Sequence, residues 1–365
     1  MAKFQVFAKE IALKRRYRLL GFLGVVLLAI GAFVLWVMWP TTESSGPASS
    51  DAVYEAAPPI SQHLPSNDPP SRTLAGGPVN CDGLAPPGAA SANGAALRDL
   101  VWTPFGREER GWETYAPSIA AEIGVACPYD SRGFAGALAR WQLRHRLPPT
   151  GEVDQVTFTT MLNGWNLARP FVRVNARGIC PNAPALADLS ALSPAESYGG
   201  KLIQLRPGAL DAYRRLREAA RRDGVITASA PGVLSVISGF RDPDADAARC
   251  ARDNNCQGLV RSICSAHRTG LAVDLFLPSA PGHGPIDSAD ENRLYQSRSP
   301  AFGWMVVNAR RFGFVNYPFE PWHWEWTGEA PLPGVPISSL PQAGSAPVEA
   351  PAPAPAPAPR PALWP

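Results

Sequence analysis

The sequence predicts an α+β fold: a small antiparallel sheet flanked by helices, preceded by a small all-α three-helix module and one transmembrane helix. Three observations support this prediction. Alternating strand patterns, a helical pattern and a further strand pattern follow one another in the C-terminal half. Two short helical patterns joined by a Pro-Gly turn precede them, and a long apolar run lies near the N-terminus. With 365 residues, of which 45% are hydrophobic, the chain can bury one or two cores.

The apolar run near the N-terminus predicts a membrane anchor. Residues 19–39 are 21 consecutive uncharged and mainly apolar positions, about the ~20 that a helix needs to cross a bilayer. Basic residues precede this run and none follows before Arg72, so the positive-inside rule places residues 1–18 in the cytoplasm. A cleaved signal peptide is the alternative, but the run exceeds a usual signal core and no small-x-small site follows it. We therefore expect a single-pass protein of the cell inner membrane, with everything after Pro40 in the periplasm.

Two segments have the composition of linkers. Residues 40–93 are rich in Pro, Ser, Ala and Gly and hold few large apolar residues, so burial cannot offset the entropy cost of ordering them. The tail, residues 333–365, ends in an Ala-Pro repeat that favours polyproline II. We expect neither segment to carry chemistry.

The segment 94–165 predicts a small helical module. Its apolar residues recur at helical spacing in two stretches separated by a turn at 148–151, with Asp154 as the cap of the second helix. These residues are Phe134, Leu138, Trp141, Phe158, Met161 and Leu162. Two short helices need a third to bury their apolar faces, and a weaker pattern over 97–123 predicts it.

This module resembles the peptidoglycan-binding-like domain. That family has an apolar helix ending in Phe-Gln, and this sequence has Trp141-Gln142 there. The family's turn containing Thr-Gly corresponds to "RLPPTGEVD", and its Thr…Leu helix corresponds to the segment from Thr157 to Leu162. The resemblance implies that the module binds glycan. A packing module without sugar affinity is the alternative, since a fold does not fix a function.

The cysteine content fits an exported chain. The six cysteines are Cys81, Cys127, Cys180, Cys250, Cys256 and Cys264. In an oxidising compartment an even number predicts up to three disulfides, with several possible connectivities, of which we favour only the pair Cys250–Cys256. A thiolate zinc site is the alternative, but the spacings lack the close Cys pair of structural sites.

The pattern of residues 185–332 predicts an α+β domain that contains the catalytic residues. Helical spacing in the stretch "LRPGALDAYRRLREAARRDG", residues 205–224, predicts an amphipathic helix that packs on a sheet. The stretch "VLSVISGFRD" predicts a strand followed by a glycine turn that presents Arg241. The stretches "GLAVDLFL" and "FGFVNYPFEPWHWEW" predict two further strands, separated by a helix near 301–312.

A carboxylate inside a buried strand pattern indicates a metal site. Asp274 lies in the predicted strand, and burying a lone carboxylate costs several kcal/mol unless a cation or good donors meet it. His267 in the preceding turn and His323, three residues after Glu320, are the candidate ligands that accompany it. Two histidines and one aspartate in a tetrahedral site leave the fourth position open, as catalytic zinc requires.

The remaining histidines and the charge pattern add no further site. His63 lies in the linker, His145 stands among arginines and His283 lies in a Pro-Gly loop, so we expect all three to be solvated. The net charge of +3 is small and the basic residues are scattered, which excludes nucleic acid as the implied partner. We expect three tryptophans on one face of the last strand to form core, with contact to substrate as the alternative for one of them: Trp322, Trp324 and Trp326.

Three motifs of this domain resemble the VanY-type zinc D-alanyl-D-alanine carboxypeptidases, a family that includes D-Ala-D-Ala dipeptidases. The motifs are Ser238-Gly239-Phe240-Arg241, "SAHRTGLAVD" from Ser265 to Asp274, and "EPWH" from Glu320 to His323. The resemblance implies the family's fold and assigns roles to these residues. The implied zinc ligands are His267, Asp274 and His323, the implied catalytic base is Glu320, and the implied substrate contacts are Arg241 and Ser265. The insertion between Arg241 and Ser265 departs from the family pattern and leaves the fine specificity open.

The resemblance and the order of the modules predict the function. We expect one Zn2+ per chain, a zinc-bound water as nucleophile, and Glu320 as the base that passes the proton to the leaving amine. Arg241 either pairs with a terminal carboxylate or stabilises the oxyanion. The predicted activity is removal of the C-terminal D-Ala from peptidoglycan stem peptides, with stem peptides and glycan as partners. An L,D-carboxypeptidase or endopeptidase on the same stems, and a non-catalytic wall-binding protein, are the alternatives.

Overall fold

The N-terminal part of the described chain is helical. The computed structural model describes residues 81–252 and 264–340. The first folded part consists of α1 (Ala89–Asp99), β1 (Val101–Trp102), β2 (Glu109–Arg110), α2 (Ala116–Ile123), α3 (Arg132–Arg144) and α4 (Gln155–Ala168). The side chains of Ser131 and Asp154 cap α3 and α4 by accepting from backbone N–H groups of the first turn. The two predicted helices are confirmed. The prediction of three helices is wrong, because the β1–β2 pair divides the upstream pattern into two helices, α1 and α2.

The C-terminal part combines short strands with helices. Its elements are α5 (Pro170–Asn175), β3 (Ile179–Pro181), β4 (Ser190–Ala191), β5 (Gln204–Leu205), α6 (Pro207–Arg222), β6 (Val236–Ser238), α7 (Pro243–Arg252), β7 (Ala272–Leu275), α8 (Asp290–Ser297), α9 (Pro300–Asn308), β8 (Phe314–Tyr317), β9 (Glu320–Trp326) and β10 (Gly334–Pro336). Four strands form one antiparallel sheet in the order β6-β7-β9-β8. The predicted α+β architecture with a small antiparallel sheet is therefore confirmed.

Helix α6 covers one face of this sheet, as predicted. Leu210, Tyr213 and Leu216 recur along its apolar side, and all three are buried. Val273 of β7 belongs to the same hydrophobic core. Because side chains alternate along a strand, Asp274 points to the opposite face of the sheet. The alternation thus keeps the candidate metal ligand out of the hydrophobic core.

A buried arginine joins the helical part to the C-terminal part. Arg293 of α8 is 1% exposed, and its Nη1 lies 3.1 Å from a carboxylate oxygen of Glu109. Its Nη2 donates to the hydroxyl of Tyr115, and its Nε donates to the backbone carbonyl of Phe319 at 2.7 Å. Phe319 immediately precedes Glu320, so this contact connects the helical part with the strand that carries the predicted base. Both parts belong to one compact unit of the chain.

Two disulfides lie within the described residues. Cys81 is bonded to Cys127, which ties the start of the described chain to the helical part. Cys180 of β3 is bonded to Cys264, which lies just before the turn that leads into β7. The favoured pair Cys250–Cys256 includes residue 256, which lies outside the described residues, so that pairing stays a prediction.

The folded part extends past the predicted borders at both ends. Helix α1 begins at Ala89 and the Cys81–Cys127 bond lies earlier still, so structure begins within the predicted linker 40–93. Strand β10 pairs with β3, so the predicted tail 333–365 contributes a strand. The segment 166–184, which the sequence left unassigned, contains α5 and β3.

The predicted membrane span at 19–39 lies outside the described residues. Among residues 81–252 and 264–340, the helices are either too short or too polar to cross a bilayer. The anchor and the cytoplasmic N-terminus therefore stay predictions.

Replacing Arg293 should destabilise the whole protein. We expect Arg293→Met to lower the free energy of unfolding by about 3–5 kcal/mol, because it removes the buried cation of Glu109 and leaves only the partly exposed Arg107 beside that carboxylate. Arg298→Gln is the matched control, since Arg298 joins the same two parts through Glu113 but is half exposed, and it should cost about 1 kcal/mol or less. Urea unfolding followed by circular dichroism measures both values. Equal losses in the two variants would contradict this account of the junction.

Candidate metal centre

Asp274 and His323 lie opposite each other on neighbouring strands. Strands β7 and β9 are antiparallel, and their register pairs Asp274 with His323. Directly opposed residues project to the same face of a sheet. Nδ1 of His323 accordingly lies 3.0 Å from Oδ1 of Asp274, and both side chains are buried. Strand pairing therefore brings together two of the predicted ligands, which lie 49 residues apart in the sequence.

His267 approaches the same carboxylate from the turn before β7. Its Nε2 lies 3.2 Å from Oδ1 of Asp274, and its Nδ1 lies 2.7 Å from the carbonyl oxygen of Gly239. A carbonyl can only accept, so Nδ1 carries the proton and Nε2 keeps the lone pair that a metal ion needs. A Cβ atom at Gly239 would lie 2.7 Å from the carbonyl oxygen of Gln204, so glycine permits the close packing of this turn.

The three predicted ligands fit a single metal ion. One ligand atom from each of His267, Asp274 and His323 lies within 4.8 Å of the others, and all three residues are buried. Burial and the charge of Arg241 lower the pKa of His267, which favours its neutral form. Burial would raise the pKa of Asp274, but the neighbouring imidazoles hold it well below its usual range. Two imidazoles and one carboxylate are a donor set that suits zinc, so the predicted ion, one per chain, fits these residues.

Three carboxylates surround His323. Besides Asp274, Oε2 of Glu320 lies 4.0 Å from its Nδ1, and Oε1 of Glu325 lies 3.6 Å from its Nε2. Burial opposes charging of the imidazole, yet the hydrogen bond with Asp274 and the contacts with the other carboxylates raise the pKa of His323 to about 9. The carboxylates thus favour positive charge at this position, either a proton on the imidazole or a bound cation.

Glu320, the predicted base, lies at the start of β9 beside the ligands. Burial raises the pKa of its carboxyl to about 7, and nearby cations offset this shift only in part. The side-chain amide of Asn316 donates to the backbone carbonyls of Glu320 at 3.2 Å and His323 at 2.9 Å. Asn316, which the sequence did not single out, thus holds the segment that carries both side chains. A carboxyl that titrates near neutrality can both take and release a proton.

Arg241 and Ser265, the predicted substrate contacts, share one partner. Nε of Arg241 donates to Oδ2 of Asp246 at 3.1 Å, and the hydroxyl of Ser265 donates to the same oxygen at 3.0 Å. Asp246 lies on α7, within the insertion that leaves the specificity open in the sequence. No sequence signal points to Asp246, because an aspartate in a polar helix has no informative spacing.

All six predicted site residues line one cleft of about 370 Å³. Its wall also includes Trp322 and Tyr317, together with Arg169 and Phe171 from the junction between α4 and α5. Trp322 lines the cleft but is buried, with 2% of its surface exposed, and Trp324 lies in the hydrophobic core, as expected. A larger cleft of about 660 Å³ lies between the helical and C-terminal parts, and no predicted site residue lines it.

A buried ion pair lies behind His323. Nη2 of Arg169 is 2.7 Å from Oε1 of Glu325, and both residues are buried. Burial would raise the pKa of Glu325, but the positive charge of Arg169 and hydrogen bonds lower it to about 2. The sequence could not predict this pair, because its members lie 156 residues apart in segments without a shared motif.

The histidines without a predicted ligand role lie outside the metal cluster. His145 stacks on Trp141 with ring centroids 3.8 Å apart, and His283 lies 2.8 Å from a carboxylate oxygen of Asp287. Both side chains have defined partners; His145 is exposed, as expected, and His283 is partly buried. His63 lies outside the described residues.

Residues 202–329 match the family model described as VanY, D-alanyl-D-alanine carboxypeptidase. This match confirms the family resemblance of the C-terminal domain and its predicted class, a metallopeptidase. All six predicted site residues lie inside the matched segment. The helical module and Arg169 lie outside it, and the resemblance of the module to a peptidoglycan-binding-like domain stays a prediction.

Comparisons with whole chains found only distant similarity. No curated protein matches the chain. A structure of the LdcB LD-carboxypeptidase is 23% identical, over 40% of this chain and 69% of that chain, with a TM-score of 0.29. A mutant of the vancomycin-resistance D,D-pentapeptidase VanY, solved in complex with Zn(II), is 22% identical, over 40% of this chain and 86% of that chain, with a TM-score of 0.25.

The metal site makes a direct prediction about zinc binding. We expect the protein to bind one Zn2+ per chain and His323→Ala to lose at least about 100-fold in affinity, because a tetrahedral site cannot spare one of three protein ligands. His283→Ala is the matched control, since His283 also lies beside two carboxylates, those of Asp287 and Glu291, but away from the cluster. Competition with a chromogenic chelator measures the affinities. Zinc bound equally well by His323→Ala would refute the site.

Proposed function

We propose that the protein is a membrane-anchored zinc D-alanyl-D-alanine carboxypeptidase that removes the C-terminal D-Ala from peptidoglycan stem peptides. The observation that carries this proposal is the convergence of two histidines and one aspartate inside a segment that matches the D-alanyl-D-alanine carboxypeptidase family model. A buried carboxyl group and an arginine in the same cleft supply the other groups that hydrolysis of a terminal peptide bond needs.

The residues of the cleft divide the chemistry between them. His267, Asp274 and His323 hold the zinc ion, which when bound supplies a Lewis acid that polarises the scissile carbonyl and acidifies water. Glu320 takes a proton from the attacking water and passes it to the leaving amine. Its carboxyl group, buried beside the ligand His323, is placed to serve both halves of this transfer.

Arg241 recognises the terminal carboxylate of the substrate. An arginine can pair with a carboxylate through two parallel hydrogen bonds, and a carboxypeptidase must distinguish a free C-terminus from a continuing chain. Nε of Arg241 donates its hydrogen bond to Asp246, and the two terminal nitrogens of the guanidinium would bind the substrate. Ser265, held by the same aspartate, adds a hydroxyl beside the guanidinium.

The location that we propose is the periplasmic side of the inner membrane, with a single span and a cytoplasmic N-terminus. The apolar run at 19–39 and the basic residues before it support the anchor. The two disulfides support folding in an oxidising compartment. The helical module would bind glycan, and the linker before it would let the catalytic domain reach stem peptides near the membrane.

Removing the base should abolish turnover without removing the metal. We expect Glu320→Gln to lower kcat by about 100- to 10,000-fold on purified pentapeptide muropeptides, because proton transfer by a placed carboxylate contributes about this much. Zinc affinity should change little, and Glu291→Gln, an exposed acid, is the control. Mass spectrometry of the products should show loss of one alanine from the pentapeptide.

Different reaction products would indicate a different activity from the one that we propose. A wild-type protein that shortens tetrapeptides would be an L,D-carboxypeptidase, and one that splits cross-links would be an endopeptidase. A protein that binds murein and zinc but hydrolyses none of these substrates would be the non-catalytic wall-binding protein.

Replacing Asp246 should weaken substrate binding and leave zinc binding unchanged. We expect Asp246→Asn to raise KM for the pentapeptide about 10-fold, because Arg241 and Ser265 lose the charged acceptor that orients them. Asp244→Asn, on the same helix, is the matched control. Steady-state kinetics measure the change. A fall in kcat at constant KM would assign Arg241 to the oxyanion and not to the terminal carboxylate.

A further inference from the structure

We propose that Glu325 and Arg169 are positioning residues that hold His323 in its metal-binding form, so that zinc affinity depends on a side chain from outside the matched family segment. This inference rests on the metal site of the proposed function and adds a determinant of its affinity. Neither residue belongs to a motif that the sequence singled out.

Glu325 lies at the nitrogen of His323 that does not face the site. His323 and Glu325 are two residues apart on β9, so their side chains share one face of the sheet. Nδ1 of His323 faces Asp274, and its Nε2 lies 3.6 Å from Oε1 of Glu325. Within the described residues this buried Nε2 has no hydrogen-bond partner. The nearby carboxylate attracts the proton to Nε2, which leaves the lone pair on Nδ1 for the metal.

Arg169 fixes the position of the Glu325 carboxylate. Nε and Nη2 of Arg169 both lie 2.7 Å from Oε1 of Glu325, and the backbone N–H of Phe171 donates to Oε2 at 3.1 Å. The guanidinium also stacks over the ring of Tyr317 at 4.2 Å, and Nη1 donates to the side chain of Asn166. Both oxygens of the carboxylate are therefore held, and so is the arginine that holds them.

The pairing of Arg169 with Glu325 keeps a charged carboxylate beside His323. Asp274, Glu320 and Glu325 place three carboxylates around His323. Arg169 pairs with Glu325, the carboxylate on the far side of the imidazole, and leaves Asp274 and Glu320 to face the ion. A buried cluster with an unmatched charge is costly, and Arg169 therefore lowers the cost of the cluster around the ion.

Arg169 lies at the end of α4, 33 positions before the matched segment 202–329 begins. Through Glu325, Arg169 contacts the ligand His323, so a residue at the junction between the helical module and the carboxypeptidase domain supports the metal site. The module thereby contributes to zinc binding independently of any affinity for glycan.

The test compares four variants of the full-length protein: Glu325→Gln, Arg169→Met, the double variant with both changes, and Arg298→Gln as the control at the same junction. Zinc affinity is measured by chelator competition, coordination by the absorption spectrum of the Co2+-loaded protein, and stability by urea unfolding of the metal-free protein. Glutamine keeps the size of glutamate, so Glu325→Gln tests the charge with little change in packing.

We expect each single variant to bind zinc about 10- to 100-fold more weakly, as is usual when a partner of a ligating histidine is removed. The Co2+ spectrum should shift in both, and Arg298→Gln should match the wild type. The double variant separates a role in stability from a role in zinc binding. Its stability should recover, because neither charge is left alone in the interior, while its zinc affinity stays low.

Recovery of zinc affinity in the double variant, or unchanged affinity in Glu325→Gln, would overturn the inference and leave the proposed function intact. A wild-type protein that binds no zinc would overturn the proposed function together with it. The two failures are therefore distinguishable by the wild-type measurement alone.

Discussion

A carboxylate held between two imidazoles is the constraint on which the rest of the structure depends. Asp274 is buried in an inner strand, with Nδ1 of His323 at 3.0 Å and Nε2 of His267 at 3.2 Å. The antiparallel register of β7 and β9 supplies one imidazole and the turn before β7 supplies the other. A slip of one residue in this register would turn Asp274 into the hydrophobic core under α6, so the fold and the site require the same pairing.

Buried charge also explains why the helical module and the carboxypeptidase domain form one unit. Arg293 ties Glu109 and Tyr115 of the module to the backbone of Phe319, one residue before the predicted base Glu320. Arg169 adds a second crossing point behind His323. Because a buried ion pair is costly to break, these contacts make relative movement of the two parts unfavourable. The cleft is thus shaped by more of the chain than the segment that matches the family.

The local elements were predictable where spacing alone decides them. The apolar face of α6, the cap of α4 and the alternation around Asp274 all follow from period and residue type. The predictions failed where a tertiary contact intervened. Structure begins before residue 93 because the Cys81–Cys127 disulfide and α1 belong to the helical part. Strand β10 forms within the predicted tail because β3, far away in the sequence, offers it a partner.

The sequence by itself determined the antiparallel α+β domain and the residue types of the candidate site, because a metal ligand and a neighbouring base require particular side chains at short spacings. His267, Asp274, His323 and Glu320 are therefore recognisable without coordinates. Only the tertiary structure decided which groups support them. Asp246 reaches Arg241 and Ser265 from an inserted helix, and Arg169 reaches Glu325 across 156 residues. Such contacts leave no periodic signal, since they depend on where separate elements pack and not on the spacing within any one of them.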